Sequence, residues 1–363
     1  MKDLILNRRD IGNPAGGGAE VYTHEIAKGL LAAGHEVDVF SSLFRGAAPE
    51  EFIDGVRYVR RGNEMTVHFL GFRHAFFHKA DYSLIMDEFN GLGFGGFLLP
   101  KTKSVILIHQ LYREFWFREL GPPGIVPYLI EPLLLRLYRG RPAITVSEST
   151  RADLEGLGFA NVRIIMNALD TPPLEALPQK ENGPTIAYLG RLRATKRPAD
   201  AIKIFKLVKK AVPGARLWIM GTGPEEAGLR KLAEDTSGIE FLGYVSDREK
   251  FERLARAHLL VVPSVREGFG INVIEAAGRG TPSIGYDVHG LRDSIKDSRT
   301  GYLARGPGEA AEKIISLLND KALYLRIASN CLEYARQFNW QRRREELLLA
   351  LKQMGFITSR ARR

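Results

Sequence analysis

Short apolar stretches alternate with amphipathic ones along this chain, and the alternation runs twice. In the first half, residues 3–7, 36–41, 82–86, 104–109 and 143–147 read as strands, and 19–33 reads as a helix ending at Gly34. In the second half the strands fall at 185–189, 216–220, 240–242, 259–262 and 281–286, with helices at 199–211, 225–234, 247–257 and 271–278. Such alternation argues for parallel sheets with helices on both faces. The expected fold class is α/β: two doubly wound, Rossmann-like domains facing across a cleft. A length of 363 residues agrees, because one hydrophobic core rarely serves so many. The segment 171–184 is rich in proline and polar residues and reads as an interdomain linker. The expected division is 1–170, 171–336 and a basic terminal segment, 337–363.

Ligands of open α/β sheets bind outside the carboxyl ends of the strands. Five motifs stand at such ends. The first strand leads into Gly16-Gly17-Gly18, and the strand from Ser104 delivers His109. The strand from Thr185 leads into Gly190-Arg191-Leu192-Arg193-Ala194-Thr195-Lys196, and the one from Arg216 into Gly221-Thr222-Gly223-Pro224. The strand from Leu259 leads into the segment that ends at Glu275. Any one of these is compatible with ordinary turn chemistry. Five spread over both halves point to a ligand site.

The last segment, Glu267-Gly268-Phe269-Gly270-Ile271-Asn272-Val273-Ile274-Glu275, is the most telling. Its glycines allow a tight turn and close approach of a ligand. A glycine loop entering a helix offers N–H groups to an anion such as a diphosphate. Carboxylates only accept hydrogen bonds, so Glu267 and Glu275 suit the hydroxyls of a sugar rather than phosphate. Diphosphate donors set between hydroxyl acceptors describe a nucleotide-sugar site. The competing reading is a capped strand–loop–helix with two solvated glutamates.

Taken together these segments resemble the GT4-type, or "group 1", retaining glycosyltransferases of the GT-B fold. The resemblance covers nearly the whole chain and rests chiefly on Gly190 to Leu303, with Asn13–Glu20 and Val146–Arg151 in support. It implies that Arg191 and Lys196 hold the donor diphosphate, a task suited to a guanidinium fork beside an ammonium. Glu275 would grip the ribose diol, and Glu267 would bond hydroxyls of the transferred sugar. Gly268, Phe269 and Gly270 would line sugar and phosphate, with Gly221 and Gly223 also on the donor side. Gly17 and Gly18 would approach the phosphates from the first domain once the cleft closes. His109 matches the histidine beside the donor sugar. The helix around 340–354 would cross back to the first domain.

The resemblance also implies transfer with retention by same-face attack, without a carboxylate nucleophile, metal or other cofactor. Acceptors in such a family are glycans, lipids or small molecules. Two departures stand out: Ala168 replaces a usual glycine, and His289-Gly290 stands where a Gly-Gly pair is common.

The net charge of +10 is uneven: Arg336 to Arg363 holds eight Lys/Arg against two Glu. No aromatic stacking surface or zinc spacing accompanies it, so nucleic-acid binding is not expected. One cysteine excludes an internal disulfide, and the N-terminus lacks a signal-peptide core. A cytoplasmic location is expected. No apolar run reaches membrane-spanning length. The aromatic and basic stretch His68–His78 leaves open a peripheral contact with the inner membrane face. Ala75 breaks the zinc-protease pattern that His74 and His78 would otherwise suggest. Alternatives are a sugar-nucleotide epimerase or hydrolase on the same fold, or a non-enzymatic nucleotide- or nucleic-acid-binding protein. A dinucleotide oxidoreductase is disfavoured because neither glycine cluster gives G-x-G-x-x-G in register.

Overall fold

Leu4, Ile5 and Leu6 in the first strand have no solvent-exposed surface, and neither do Val105, Leu107 and Ile108 farther on. Strands buried on both faces in this way need helices above and below, and the computed structural model supplies them in two units. It describes residues 1–357; Arg360, Arg362 and Arg363 of the basic terminus lie outside the described residues.

The first unit comprises 1–113, 125–167 and the chain from Trp340 onward. Its sheet begins with β1 (Lys2–Leu6), β2 (Glu36–Ser41), β3 (Glu50–Ile53) and β4 (Val56–Arg60). It continues with β5 (Leu84–Glu88), β6 (Ser104–Ile108), β7 (Ala143–Thr145) and β8 (Val162–Ile164). The order across the sheet is β3-β4-β2-β1-β5-β6-β7-β8, and every neighbouring pair is parallel except β3 with β4. Helix α1 (Gly18–Ala32) connects β1 to β2, and α2 (Val67–Phe77) connects β4 to β5. Right-handed crossovers in opposite directions put these two helices on opposite faces.

The segment between β6 and β7 holds α3 (Glu114–Leu120), which belongs to the second unit, and α4 (Ile125–Tyr138). The crossover rule puts α4 on the α2 face. Helix α5 (Glu148–Gly156) is capped by Ser147, whose hydroxyl accepts from the Thr150 N–H at 3.2 Å.

The second unit comprises 114–124 and 168–339. Its strands are β9 (Thr185–Leu189), β10 (Arg216–Met220), β11 (Ile239–Gly243), β12 (Leu259–Val262), β13 (Ser283–Tyr286) and β14 (Gly301–Ala304). They form an all-parallel sheet in the order β11-β10-β9-β12-β13-β14. The connections are α6 (Pro198–Ala211), α7 (Glu226–Ala233), α8 (Asp247–Arg256), α9 (Ile271–Ala277) and α10 (Leu291–Ser294). Two further helices follow, α11 (Pro307–Asn319) and α12 (Lys321–Ala335).

Travel across the sheet runs one way through α6 and α7 and the other way through α8, α9 and α10. Those last three therefore share a face. There Leu254 of α8, Ala257 just after it, and Val273 and Ala276 of α9 pack on Trp218, Met220, Leu260 and Val262. Each such large apolar side chain contributes about 1.5–3 kcal/mol when fully buried.

One sequence expectation changes in detail. The proline-rich 171–184 segment lies along the second unit rather than spanning freely between units. Leu174 N–H donates to Gly278 O at 2.9 Å, and Lys180 Nζ donates to Thr281 Oγ1 at 2.8 Å. The chain passes between units after Arg113, Gly124, Asn167 and Asn339. The final helix, α13 (Trp340–Gln353), packs on α1 in the first unit. Trp340 meets Tyr22 at 5.9 Å between rings, and Arg344 pairs with Glu25.

Candidate functional site

In the second unit the strand order reverses between β9 and β12, the position where open α/β sheets leave room for a ligand. The loops leaving these two strands carry Arg191 to Lys196 and Ser264 to Gly270. They are tied together by Val265 N–H donating to Thr195 O at 3.0 Å. Lys196, in one turn of 3-10 helix, places its Nζ 2.6 and 2.7 Å from the two carboxylate oxygens of Glu267. Ser264 Oγ donates to the same carboxylate at 2.7 Å. Glu267 is only 8% exposed. A buried carboxylate is tolerated when cations and donors surround it in this way.

Gly221 and Gly223 have a structural task here. A Cβ at Gly221, whose φ is +131°, would lie 2.0 Å from Gly190 O, and one at Gly223 would lie 2.4 Å from Leu192 O. The β10 loop therefore lies flat against the Arg191 loop, with Leu192 N–H donating to Thr222 O at 2.9 Å. Behind Glu267, its own N–H donates to His289 O at 3.0 Å, and a Cβ on Gly290 would meet Glu267 O at 2.2 Å. The side chain of Phe269 is buried against Phe338, with ring centroids 5.7 Å apart, so it anchors the loop. Gly268 is partly exposed, and Gly270 turns the chain into α9.

Glu275 lies deep in the same unit. Burial pushes its carboxyl above the usual carboxylate range. Lys250 of α8 reaches across the shared face and donates to Glu275 Oε1 at 2.6 Å, with Asp247 on its other side at 2.9 Å. Burial works against the Lys250 ammonium, but Glu275 and Asp247 outweigh it and hold the group above its ordinary pKa.

Helix α3 braces the Lys196 loop. Glu119 accepts from Arg193 Nη2 at 2.8 Å and from Thr195 Oγ1 at 3.0 Å, and Glu114 accepts from Arg266 at 3.2 Å.

In the first unit the reversal lies between β1 and β5. Asn7 follows β1, Glu88 ends β5, and His109 follows β6. His109 Nε2 lies 3.2 Å from Glu88 Oε1, within ion-pair range but misaligned for a hydrogen bond. Glu88 is fully buried and accepts from Thr23 Oγ1 and from Asn90 Nδ2. Tyr22 of α1 stands edge-on to the His109 ring at 5.0 Å. Gly17 is extended and exposed, and its N–H donates to Glu20 Oε2 at 2.7 Å; Gly18 begins α1.

The structure thus brings Lys196 together with Glu267, and the glycines of the β10 loop with the Arg191 loop. His109, Gly17 and Gly18 belong to the other unit. Sequence reasoning missed Lys250, Ser264, Glu88 and Glu119. Lys250 has the spacing of an ordinary i, i+3 helix pair with Asp247, and its second partner is 25 residues away. Among the described residues no group of three or more His, Cys, Asp or Glu is placed to hold a metal ion. Nor is any described helix long and apolar enough to cross a membrane.

Comparison with known proteins bears on the family and the fold. Residues 174–338 match Glycosyl transferases group 1, and residues 16–172 match Glycosyltransferase Family 4. A glycogen synthase of Mycobacterium tuberculosis is 26% identical over 365 aligned positions, covering 90% of this chain and 88% of that protein. Sucrose-phosphate synthase from Thermosynechococcus elongatus has the same fold, with a TM-score of 0.79 at 19% identity over 97% of this chain and 98% of that one. An Anabaena protein solved in complex with UDP-glucose has a TM-score of 0.71 at 17% identity, over 97% of this chain and 100% of that one.

Proposed function

The chain belongs to the group 1 glycosyltransferases of the GT-B fold, and we propose that it moves a hexose from a nucleoside-diphosphate donor to a glycan or lipid-linked hydroxyl with retention of configuration. The observation that carries this reading is the meeting of Lys196 and Glu267 at the strand reversal of the second unit. Without a donor, the cation pairs with the carboxylate. A bound diphosphate offers Lys196 a better-matched anion, and Glu267 is then released to accept from sugar hydroxyls.

As the glycosidic bond breaks, positive charge grows on the sugar ring and negative charge on the leaving diphosphate. Arg191 and Lys196 stabilise that negative charge, and their interaction strengthens toward the transition state. Glu275 takes the ribose diol with the oxygen that Lys250 does not engage. His109, supported by Glu88, acts on the donor sugar. UDP is the first base to try, because UDP-glucose is the ligand of the Anabaena relative.

The test is transfer itself. The protein is incubated with UDP-, GDP-, ADP- and TDP-hexoses and candidate acceptors, and the anomeric configuration of the product is read by NMR. A product of the donor's own configuration is expected. An inverted product contradicts retention, and release of free sugar or an epimer without transfer favours the hydrolase or epimerase alternative.

A further inference from the structure

Helix α4 is turned inside out relative to a soluble amphipathic helix. It buries Glu131, Leu135 and Tyr138, while Ile125, Val126, Leu129, Ile130, Leu133 and Leu137 are each 43–58% exposed. Glu131 is the helix's single acid, and it is spent internally: it accepts from the N–H groups of Tyr112 at 2.7 Å and Arg113 at 2.9 Å. Tyr138 likewise turns its hydroxyl inward, donating to Asp87 at 2.8 Å. The outer face is therefore an aliphatic stripe with no acid on it.

Its carboxyl end is basic. Arg136 and Arg139 are exposed, and Lys101 lies beside Gly140, where a Cβ would come within 3.2 Å of its Nζ. Interior contacts link α4 to α2. Phe94 meets His68 of α2 with tilted rings 4.5 Å apart, and the next N–H, that of Gly95, donates to Tyr138 Oη of α4 at 2.9 Å. On α2 itself Phe69 and Phe77 are 67% and 72% exposed, and Lys79 lies 4.1 Å over the Phe76 ring.

We propose that α4, flanked by α2, seats the first unit on an anionic phospholipid bilayer, lying in the interface with its aliphatic stripe among the acyl chains. A 14-residue helix is about 21 Å long, too short for a hydrocarbon core of about 30 Å, so it lies flat rather than spanning. Protein partners are usually met by aromatic and hydrogen-bonding side chains. A stripe of Ile, Val and Leu with a basic edge instead matches acyl chains beneath anionic headgroups. The inference goes beyond the donor reading and does not depend on it, since vesicle binding requires no nucleotide.

The test is co-sedimentation of the full chain with phosphatidylglycerol-containing vesicles and with pure phosphatidylcholine vesicles. Binding to the anionic vesicles is expected, weakening at about 1 M salt, where the screening length falls to about 3 Å. Leu129→Glu with Leu133→Glu should lower the bound fraction at least about tenfold. Arg136→Glu with Arg139→Glu, which leaves the stripe intact, should lower it on anionic vesicles only. Unchanged melting temperatures would show that both variants fold. Absence of vesicle binding, or binding indifferent to both variants, overturns the proposal. So does a wild-type dimer in sedimentation equilibrium that the leucine variants dissociate, because a second copy would then cover the stripe.

Discussion

Lys196 and Glu267 form a two-point ion pair, with Nζ 2.6 and 2.7 Å from the carboxylate oxygens, although 70 residues separate them in sequence. Each ends up there because its loop leaves one of the two strands between which the sheet reverses. Replacing Lys196 by Met should lower kcat/KM by about a hundredfold or more, the loss expected when a charge-assisted hydrogen bond of about 3 kcal/mol disappears from the transition state. The melting temperature should also fall, since Glu267 stays buried with its cation gone and Ser264 Oγ still donating to it. Steady-state kinetics and calorimetry check both. Turnover within threefold of wild type would remove Lys196 from the site.

His109 belongs to the first unit and Glu275 to the second, so their variants should separate. His109→Ala should lower kcat at least about tenfold, equivalent to about 1.4 kcal/mol of barrier, while leaving UDP affinity within twofold. Titration calorimetry beside the transfer assay tells the two apart. Equal losses in affinity and turnover would contradict a role confined to the sugar.

Lys250 opposes the effect of burial on the Glu275 carboxyl. With Lys250→Met, burial acts on Glu275 unopposed and its carboxyl rises further. The folded state then holds an extra proton over a wider range above the ordinary glutamate value, and stability falls as pH rises through that range. Nucleotide affinity in the variant should improve toward alkaline pH more steeply than in wild type, and Lys250→Arg should restore wild-type behaviour. Affinity measured across the pH range in which the fold is stable decides it. A flat profile in the variant would make Lys250 a surface tie.

Lys180 gives a prediction about stability alone. Burial lowers its ammonium to about 7, against an ordinary 10.5. Between those values the unfolded chain binds the extra proton, so stability rises with pH across that window. Below it, the folded protein carries the full cost of a buried charge. Lys180→Met should therefore stabilise the protein by roughly 2–4 kcal/mol at pH 6, with the gain shrinking toward pH 10. Denaturant titrations at the two pH values measure it.

The sequence was most legible where physics left one option. The strands Thr185–Leu189, Arg216–Met220 and Leu259–Val262 have the bounds expected from their apolar runs. The β3–β4 hairpin was hidden by its own charges. Glu50 and Glu51 pair with Arg57 and Arg60 across an edge, so neither strand looks apolar. Strand β5 lies two residues later than expected because it ends in Asp87 and Glu88, acids that a sequence reading excludes from a core. Asp87 is fully buried by accepting from Phe94 N–H, Gly96 N–H and Tyr138 Oη. At the site, residues with a motif were legible. Lys250, Glu88 and Glu119 were not, since each acts through a partner on a different element. Which aliphatic face of α4 is covered also depends on Glu131 turning inward, which its spacing does not reveal.

The most direct test of the account is a thermal-shift titration of the whole protein with UDP, GDP, ADP and TDP, repeated on Glu275→Ala. At a ligand concentration about a hundred times Kd, a specific site stabilises the fold by about 2.7 kcal/mol. The account predicts such a shift for one nucleoside diphosphate, lost in the variant. No shift with any of the four, or an equal shift in the variant, would contradict a nucleotide-sugar site built around Glu267 and Glu275.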